Sequence, residues 1–390
     1  MDFSFSNDGL AFISESQASQ LSNVEVKEKD VLLNITGDSV ARVCQVPSKI
    51  LPARVNQHVA IIRPDQKKLS AEFLKYYLLN PKFKYFMLGM ASVGGTRNAL
   101  TKGMIEDFEI ETPDLPTQTR IADILSVLDY KIELNRQSNA TLEAIAQAIF
   151  KEWFVDFRFP GATGEMQDSE LGSIPKGWRV GKLGDLCDNV RKTVQPRDVV
   201  KDTPYVGLEH IPRKSLGLIS WGVSGDVNSQ KTHFNKYDVL FGKLRPYFHK
   251  VCIAPLAGIS STDILVIKHK NKDAFSFCLN HLYSNKLIAF VSAVADGTRM
   301  PRVDWKTISH YEIVIPSEQL LSQFNEVTFP YYKKIIENNH QSTIIAQIRD
   351  VLLPKLMNGE IPVGADNFSP LPTEIKPLPV TESPQGNHDR

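Results

Sequence analysis

The chain has few cysteines and no long apolar segment. Its four cysteines, Cys44, Cys187, Cys252 and Cys278, lack the paired spacing of a zinc site or a disulfide framework, so we expect reduced thiols. No run of about 18 apolar residues occurs, which predicts that no helix spans a membrane. The first four residues lack the basic region and apolar core of a secretion signal. These absences together predict a cytoplasmic protein.

Motifs of nucleic-acid enzymes are missing as well. The sequence has no Asn/Asp-Pro-Pro-aromatic tetrapeptide or glycine-rich cofactor loop, as an adenine methyltransferase would need, and no Gly-x-x-x-x-Gly-Lys-Ser/Thr phosphate loop. Residues 25–27 and 65–67 have the carboxylate-x-lysine spacing of metal-dependent nucleases, but such triplets arise by chance in a lysine-rich chain. The nine histidines are not grouped at metal-ligand spacing. We therefore predict a chain that has no catalytic residues and binds no metal.

Net charge is also nearly absent, at +1 for the whole chain, but the charges are unevenly distributed. Residues 178–316 contain 20 Lys and Arg against 12 Asp and Glu, a balance of +8. Residues 1–113 contain 13 of each kind, and residues 359–390 contain 2 basic and 5 acidic side chains. The basic segment is typical of a phosphate-facing surface, although a well-solvated domain surface would give the same count.

What the chain does contain is a sequence pattern that occurs twice, about 203 residues apart. Three matched pairs of segments carry the repeat: residues 29–32 with 237–240, the Gly-Thr-Arg triplets 95–97 and 297–299, and residues 108–113 with 311–316. A repeated unit of this size predicts a pseudo-twofold molecule. DNA that is read at two half-sites is one partner with matching symmetry.

Local patterns predict an α/β (α+β) fold, with two mixed-sheet domains separated by two long antiparallel coiled-coil helices. Short apolar runs predict strands at residues 31–35, 59–62, 205–208, 238–241, 251–253 and 264–267. Helical spacing predicts helices at residues 73–79, 83–90 and 275–289.

The first long helix is predicted over residues 117–154, where seam residues recur in alternating steps of four and three. The seam is Ile121, Leu125, Leu128, Ile132, Asn135, Asn139, Leu142, Ala146, Ile149 and Trp153. This heptad pattern is typical of a coiled coil, and two central asparagines cost stability while they fix register and partner. The alternative, one helix on a globular core, favours a wider apolar stripe without central asparagines.

The second long helix is predicted over residues 318–357. Its seam, aligned with the first, is Phe324, Thr328, Tyr331, Ile335, Asn338, Ser342, Ile345, Arg349, Leu352 and Leu356. Asn338 aligns with Asn135, and Ser342 aligns with Asn139, which predicts an antiparallel pair whose polar layers lie at matching heights. Pro330 is expected to kink this helix or to mark a restart.

Six segments follow from these patterns. Dense glycine and proline predict a linker after the first long helix, and a proline-rich end predicts a disordered tail. In order, the predicted segments are a first recognition domain (1–113), a central long helix (114–157), a linker (158–177), a second recognition domain (178–316), a second long helix (317–361) and the tail (362–390).

Basic and amide side chains on loops are the candidates for binding DNA, because phosphates need cations and base edges need hydrogen-bonding side chains. The candidates are Arg97, Asn98, Lys102, Arg191, Lys192, Arg197, Lys243, Arg245, Tyr247, Lys250, Arg299 and Arg302. A solvated hairpin or a simple Gly-Thr turn would explain the same residues without DNA.

The order and duplication of several segments resemble the DNA-specificity (S) subunit of type I restriction–modification systems. The first copy carries Thr112-Pro113, Gln118-Thr119-Arg120-Ile121-Ala122, Leu128-Asp129, Lys131-Ile132 and the segment 150–157. The segments 171–178 and 183–185 follow and open the second copy. The second copy carries Ile315-Pro316 and the segments 352–356 and 358–361. The resemblance spans residues 20–361.

The resemblance implies that two target-recognition domains bind the halves of a bipartite DNA target and that the paired helices hold these domains apart. It also implies a non-catalytic subunit that joins two modification (methyltransferase) subunits and, in the full complex, two restriction subunits. S-adenosylmethionine, ATP and Mg²⁺ would then belong to those partners, and no cofactor to this chain.

The repeat also indicates that the first domain is shortened at its front. Trp178 precedes Asp238 by 60 residues, whereas 29 residues precede Asp30. Two alternative functions are therefore kept open. One is a truncated scaffold or regulatory subunit that binds modification subunits without reading a full bipartite site, and the other is an autonomous DNA enzyme.

Overall fold

The computed structural model describes residues 5, 9–92, 98–225, 229–295, 297 and 299–363. The chain divides into two compact units. Unit 1 comprises Met1–Val127 and Asp350–Arg390, and unit 2 comprises Leu128–Arg349. Two 40-residue helices each supply residues to both units. Helices and sheets occur in each unit, so the prediction of a mixed α/β fold is confirmed.

Unit 1 is built on a three-stranded antiparallel sheet. Its elements are α1 (Glu15–Gln20), β1 (Glu25–Val26), β2 (Val31–Asn34), β3 (Val43–Gln45), β4 (Ala53–Arg54), β5 (Val59–Ile62), α2 (Ala71–Leu79), α3 (Pro81–Ser92) and α4 (Lys102–Glu106), followed by the start of α5 (Leu115–Phe154). The central strand β2 pairs with β3 and β5, and β1 pairs with β4. Ser70 caps α2 by accepting a hydrogen bond from the Phe73 N–H at 3.3 Å.

Unit 2 contains a four-stranded antiparallel sheet, a five-stranded sheet and two smaller strand pairs. Its elements after α5 are β6 (Met166–Ser169), β7 (Gly172–Pro175), β8 (Arg179–Lys182), α6 (Leu183–Leu186), β9 (Cys187–Asn189), β10 (Thr193–Val194), β11 (Pro204–Val206), β12 (Gly222–Val223), β13 (Lys231–Phe234), β14 (Val239–Gly242), β15 (Val251–Ile253), β16 (Gly258–Ser260), β17 (Ile264–His269), α7 (Phe275–Tyr283), α8 (Asn285–Ala293), α9 (Trp305–Ser309), β18 (Glu312–Ile315) and α10 (Glu318–Met357).

The long helices contribute to the apolar core of each unit. In unit 1, Ile121 and Leu125 of α5 and Leu353 and Leu356 of α10 are buried with the residues of the sheet and α2. In unit 2, the aromatic residues of the core cluster around Phe154, which lies 4.8 Å from Phe277 and 4.9 Å from Phe324 between ring centroids. Burial of such large apolar side chains is the main term that stabilises each unit.

The sequence repeat corresponds to a repeat of strand register. Leu32 of β2 lies opposite Ile61 of β5, and Leu240 of β14 lies opposite Val266 of β17. The residue before each central strand is a buried aspartate that closes a tight turn. Asp30 accepts a hydrogen bond from the Lys27 N–H, and Asp238 accepts one from the Asn235 N–H, both at 2.7 Å. Thus the matched segments 29–32 and 237–240 form the same turn and strand.

The two units differ in the number of strands around this shared centre. In unit 2, β9 extends the sheet beyond β17, and β8 pairs with β18. Among the described residues of unit 1, no strand extends the sheet beyond β5, and residues 108–113 form no strand. Consequently β5 is half-exposed along its length, whereas Ile264–Ile267 of β17 are buried.

Two local predictions from the sequence were wrong. Residues 275–289 form two helices rather than one, because extended Ser284 ends α7 and its hydroxyl accepts a hydrogen bond from the Leu287 N–H at 3.1 Å to cap α8. The predicted linker 158–177 contains the hairpin of β6 and β7, whose turn is closed by Gly172 with a φ of 96°. Most of the predicted tail, from residue 364, lies outside the described residues.

Helix α10 is continuous through Pro330, so the predicted restart does not occur. Proline lacks the N–H that would bond to the carbonyl of Glu326, and both residues are exposed. That carbonyl can therefore be satisfied by water while the remaining hydrogen bonds preserve the helix.

No helix in the described ranges is both long and apolar enough to cross a membrane.

Within unit 2, α5 and α10 pair in antiparallel fashion through a polar layer. The Asn135 amide donates hydrogen bonds to Gln341 at 2.9 Å and to Ser342 at 3.1 Å. The Asn338 amide donates to the Asn139 side chain at 2.8 Å, and the Asn139 amide donates to Asn339 at 2.7 Å. At one end of the layer, Arg349 forms an ion pair with Asp129 at 2.7 Å, and both side chains are largely buried.

The buried face of α5 departs from the predicted seam toward the C-terminus. Leu142 and Ile149 are half-buried, whereas Glu143, Phe150 and Phe154 are buried. A helix with 3.6 residues per turn drifts about 20° per heptad, so a strict seven-residue pattern moves off the contact face. The other predicted seam residues divide into two groups. Those that are buried are Ile121, Leu125, Asn135, Asn139, Ala146, Phe324, Thr328, Ile335, Asn338, Arg349 and Leu356, and those that are half-buried are Leu128, Ile132, Trp153, Tyr331, Ser342, Ile345 and Leu352.

Substitution Asn139→Leu is expected to destabilise the protein by about 1–3 kcal/mol, because it leaves the buried Asn338 amide with only the long bond to the Ser138 hydroxyl at 3.4 Å and removes the bond to Asn339. Urea unfolding of the full chain measures the change. Gln137→Leu, on the exposed side of the same helix, is the control, with an expected change within about 0.5 kcal/mol. Equal stability of Asn139→Leu and the native chain would contradict a structural role for the layer.

Candidate nucleic-acid interface

A five-residue turn in unit 2 follows the central strand of the four-stranded sheet. This turn, Arg245 to His249, is called the tip of unit 2. Its first and last residues have left-handed backbones, with φ of 50° at Arg245 and 52° at His249. The residues between them, Pro246–Phe248, form one 3₁₀ turn. Two reversals of this kind project the middle of the tip away from the sheet, and Tyr247 is 52% exposed.

Backbone hydrogen bonds join this tip to residues 301–303, which follow the second Gly-Thr-Arg triplet. The Arg245 N–H donates to the Pro301 carbonyl at 2.7 Å, and the Val303 N–H donates to the Lys243 carbonyl at 3.0 Å. Leu244 and Arg302 form an antiparallel bridge between these two bonds. Two segments that are about 57 residues apart in the sequence are thereby held side by side.

Cationic residues from three segments lie in the tip or beside it. The two hydrogen-bonded segments contain Lys243, Arg245, Arg299 and Arg302, all of which the sequence predicted as DNA contacts. The third segment supplies Arg213, whose guanidinium lies 3.9 Å from the centre of the Phe248 ring. Among the described residues, the carboxylate that pairs with this group is Asp263, which lies 3.2 Å from Arg302. The cluster therefore keeps an excess of positive charge.

Arg213 and its neighbour Lys214 were missed by sequence reasoning. They form a basic pair inside the segment 211–217, and a local charge count would have found them. Lys250, by contrast, was predicted to contact DNA but points inward. Its ammonium donates to the Leu208 carbonyl, and burial followed by the charge of Arg213 lowers its pKa. A side chain used in this way does not reach a phosphate.

The other predicted basic group of unit 2 does not join the tip. Arg191, Lys192 and Arg197 follow β9, which borders β17 on the side opposite to β14. The carbonyl of Lys192 accepts a hydrogen bond from the His233 N–H at 2.9 Å, and Arg197 is exposed beside Asp198. These residues form a separate basic surface.

Unit 1 has a corresponding tip, Gly37 to Ala41, whose first and last residues also have left-handed backbones but which carries no cation. The Gly37 N–H donates to the Asn98 carbonyl at 3.0 Å, and the Leu100 N–H donates to the Ile35 carbonyl at 2.8 Å. Among the predicted residues of this unit, Asn98 therefore lies at the tip. Lys102 lies in α4, 3.4 Å from Glu106, and Arg97 lies outside the described residues.

The buried carboxylate of Glu143 on α5 forms hydrogen bonds with the segment 211–217, which contains Arg213 and Lys214. Glu143 accepts hydrogen bonds from the Leu216 N–H at 3.0 Å, the Ser215 hydroxyl at 3.2 Å and the Tyr283 hydroxyl at 3.3 Å. Burial raises the pKa of Glu143, and these hydrogen bonds only partly oppose the shift. Sequence reasoning missed this residue, because the heptad pattern placed its neighbour Leu142 in the seam.

The same tyrosine also anchors the end of the tip. The ring N–H of His249 donates to the Tyr283 carbonyl at 2.9 Å, with both residues buried. Burial lowers the pKa of His249, so the imidazole is the neutral form at pH 7 and adds no charge to the cluster. Glu143, Tyr283 and His249 therefore connect the helix to the tip through buried hydrogen bonds.

Substitution Glu143→Gln is expected to gain stability relative to the native chain as pH rises from about 4 to about 7. The folded pKa of Glu143 lies above its unfolded value, so the stability that its proton supports is present at low pH and is lost as pH rises through the folded pKa. Urea unfolding across this range measures the difference. Glu337→Gln on the exposed face of α10 is the control. A difference that does not change with pH would contradict the assignment.

Comparison with known proteins places this geometry in a family. The family model described as Type I restriction modification DNA specificity domain matches residues 4–144 and 175–347. The MjaIX specificity subunit from Methanocaldococcus jannaschii is 30% identical over 326 residues, which cover 80% of this chain and 74% of that protein. The HindI specificity subunit from Haemophilus influenzae is 24% identical over 409 residues, covering 86% and 87% of the two chains.

The fold has a counterpart among solved structures. The crystal structure of the type I restriction–modification S subunit from M. genitalium aligns with a TM-score of 0.52 and 16% identity, covering 85% of this chain and 84% of that one. This likeness concerns the fold, and the sequence matches concern the family. The chain belongs to the family of type I restriction–modification DNA-specificity subunits.

Proposed function

We propose that this chain is the non-catalytic, sequence-reading subunit of a type I restriction–modification complex in the cytoplasm, and that it binds double-stranded DNA at two half-sites. The observation that supports this most is the cationic tip of unit 2, where Arg213, Lys243, Arg245 and Arg299 lie on the tip or on segments that contact it and where Tyr247 is exposed. Each phosphate that such a surface neutralises releases condensed counterions, and this release favours binding.

Docking of other subunits to the helix pair is the second part of the proposal. In unit 2, Tyr130 and Leu134 are one turn apart on α5 and are 51% and 43% exposed. Ile344 and Ile348 are one turn apart on α10 and are 43% and 45% exposed. The Asp129–Arg349 ion pair places the two sets at the same level of the pair. Exposed apolar side chains at this density are typical of a protein interface.

The expected occupants of this surface are the modification subunits, two in number, with restriction subunits in the full complex. S-adenosylmethionine, ATP and Mg²⁺ are assigned to these partners and not to this chain. A scaffold that reads only one half-site is the alternative. The tip of unit 1, which contains Asp38 and no cation, and its smaller sheets favour that alternative for the first half-site.

Reconstitution with the modification subunits tests the function. Sequencing of methylated adenines in a random DNA library is expected to give a bipartite motif. Arg213→Ala is expected to weaken DNA binding for all sequences and to lower the slope of log affinity against log salt by about 1. Arg136→Ala, an exposed arginine on α5, is the control.

Three outcomes of this experiment bear against the proposal. A complex that assembles but methylates no preferred sequence supports the scaffold. A motif with a single half supports a scaffold for unit 1 and sequence reading by unit 2 alone. Methyl transfer by the purified chain without partners would overturn the non-catalytic assignment.

The docking surface has its own test. The double variant Leu134→Asp, Ile348→Asp is expected to reduce co-purification of the modification subunit at least tenfold, because two charges would be buried at the contact. Gln137→Asp is the matched control on α5. Thermal unfolding of the isolated chain should be unchanged, since both replaced side chains are exposed. Normal co-purification of a folded double variant would contradict docking at this surface.

A further inference from the structure

The tips of the two units share left-handed first and last residues and one backbone hydrogen bond, which together are called the frame, although Val40 is extended where Phe248 belongs to a 3₁₀ turn. In each tip the first and last residues have positive φ: 70° at Gly37 and 65° at Ala41 in unit 1, and 50° at Arg245 and 52° at His249 in unit 2. The fourth residue of each tip donates its N–H to the carbonyl of the first, at 3.1 Å in unit 1 and 2.9 Å in unit 2. The frame is thus formed by backbone groups and does not depend on the side chains that it carries.

The side chains on this frame differ completely between the units. Unit 1 has the sequence Gly-Asp-Ser-Val-Ala, and unit 2 has Arg-Pro-Tyr-Phe-His. At the first position, glycine adopts the left-handed backbone without a steric penalty, whereas arginine does not. Glycine fits the same left-handed position without strain. The presence of arginine there therefore indicates that its guanidinium has a role other than stabilising the fold.

Within the described part of the chain, few of the hydrogen-bond donors of Arg245 have a partner. Its Nε is buried and has no partner there. Its Nη2 donates to the Arg299 carbonyl, at 3.4 Å. The nearby carboxylate of Asp263 pairs with Arg302 instead. A guanidinium has five donors in a planar fork, and this fork matches two adjacent acceptors on a planar ligand.

We propose that Arg245 is a specificity-determining residue that reads a guanine in the half-site bound by unit 2. The guanidinium would donate to guanine O6 and N7 in the major groove, the paired acceptors that this side chain recognises most often. Exposed Tyr247 lies two residues along the same turn and would contact the adjacent base or sugar. The corresponding residues of unit 1, Gly37 and Ser39, offer no such fork. This inference rests on the proposed function.

Three variants separate reading from folding. Arg245→Gly places at the tip the residue that unit 1 already has there, so the frame should form and the melting temperature should be equal or higher. Arg245→Lys keeps the charge without the planar fork. Arg213→Ala removes a neighbouring cation that has no partner on a base. Each variant is assayed in complex with the modification subunits, by sequencing methylated adenines in a random DNA library.

The native complex is expected to require guanine at one position of one half-site. Arg245→Gly should reduce the preference for guanine there by about 5- to 150-fold and leave the other half-site unchanged. Arg245→Lys should reduce it partly, and Arg213→Ala should lower affinity without altering the motif.

Two results would overturn the inference while leaving the proposed function intact. One is an unchanged motif in folded Arg245→Gly, and the other is a native bipartite motif without guanine in either half-site. A large fall in melting temperature with the motif retained would show that Arg245 is structural. If the native complex methylated DNA without any sequence motif, that result would instead contradict the proposed function itself.

Discussion

Hydrogen bonding between buried amides fixes the helix pairing on which unit 2 depends. In a purely apolar seam, a shift of one antiparallel helix by one turn relative to the other costs little free energy, because leucines at successive positions make similar contacts. Asn135, Asn139 and Asn338 remove this freedom, since a slip leaves each buried amide unpaired at a cost of about 1–3 kcal/mol. The register then determines which residues of α5 contact the segment 211–217. It brings the Glu143 carboxylate within hydrogen-bond distance of the Leu216 N–H.

The contact at Glu143 extends that constraint to the tip of unit 2. A carboxylate buried without a cation is unfavourable unless several donors are already in place. Ser215 and Leu216, in the segment 211–217, and Tyr283, at the end of α7, supply those donors. Because Tyr283 also accepts from His249, the position of the tip in unit 2 follows from the register of the helices. A specificity subunit needs such a rigid path, since base recognition fails when a side chain is misplaced by about 1 Å.

Features set by local sequence could be predicted, and those set by packing could not. The repeat identified 29–32 and 237–240 as matching segments, which the structure shows to be the same turn and strand, and the periodicity identified both long helices, because these depend on neighbours in the chain. The burial of Glu143 in place of Leu142 was missed, since a seven-residue pattern ignores the drift of a straight helix. The inward position of Lys250 was missed for a different reason. A lysine beside aromatic residues has the same sequence pattern whether its ammonium meets a phosphate or a carbonyl.

The shared frame of the two tips explains how recognition can vary while the fold remains. Its hydrogen bonds join backbone groups, and its unusual φ values recur at residues as different as Gly37 and Arg245. Even Ala41 adopts the left-handed backbone, which shows that the surrounding bonds impose this conformation and that glycine is not required for it. A change of side chain at the tip therefore changes the groups that face the ligand and costs little folding energy. Specificity for a new half-site then requires different side chains on this turn, and not a different fold.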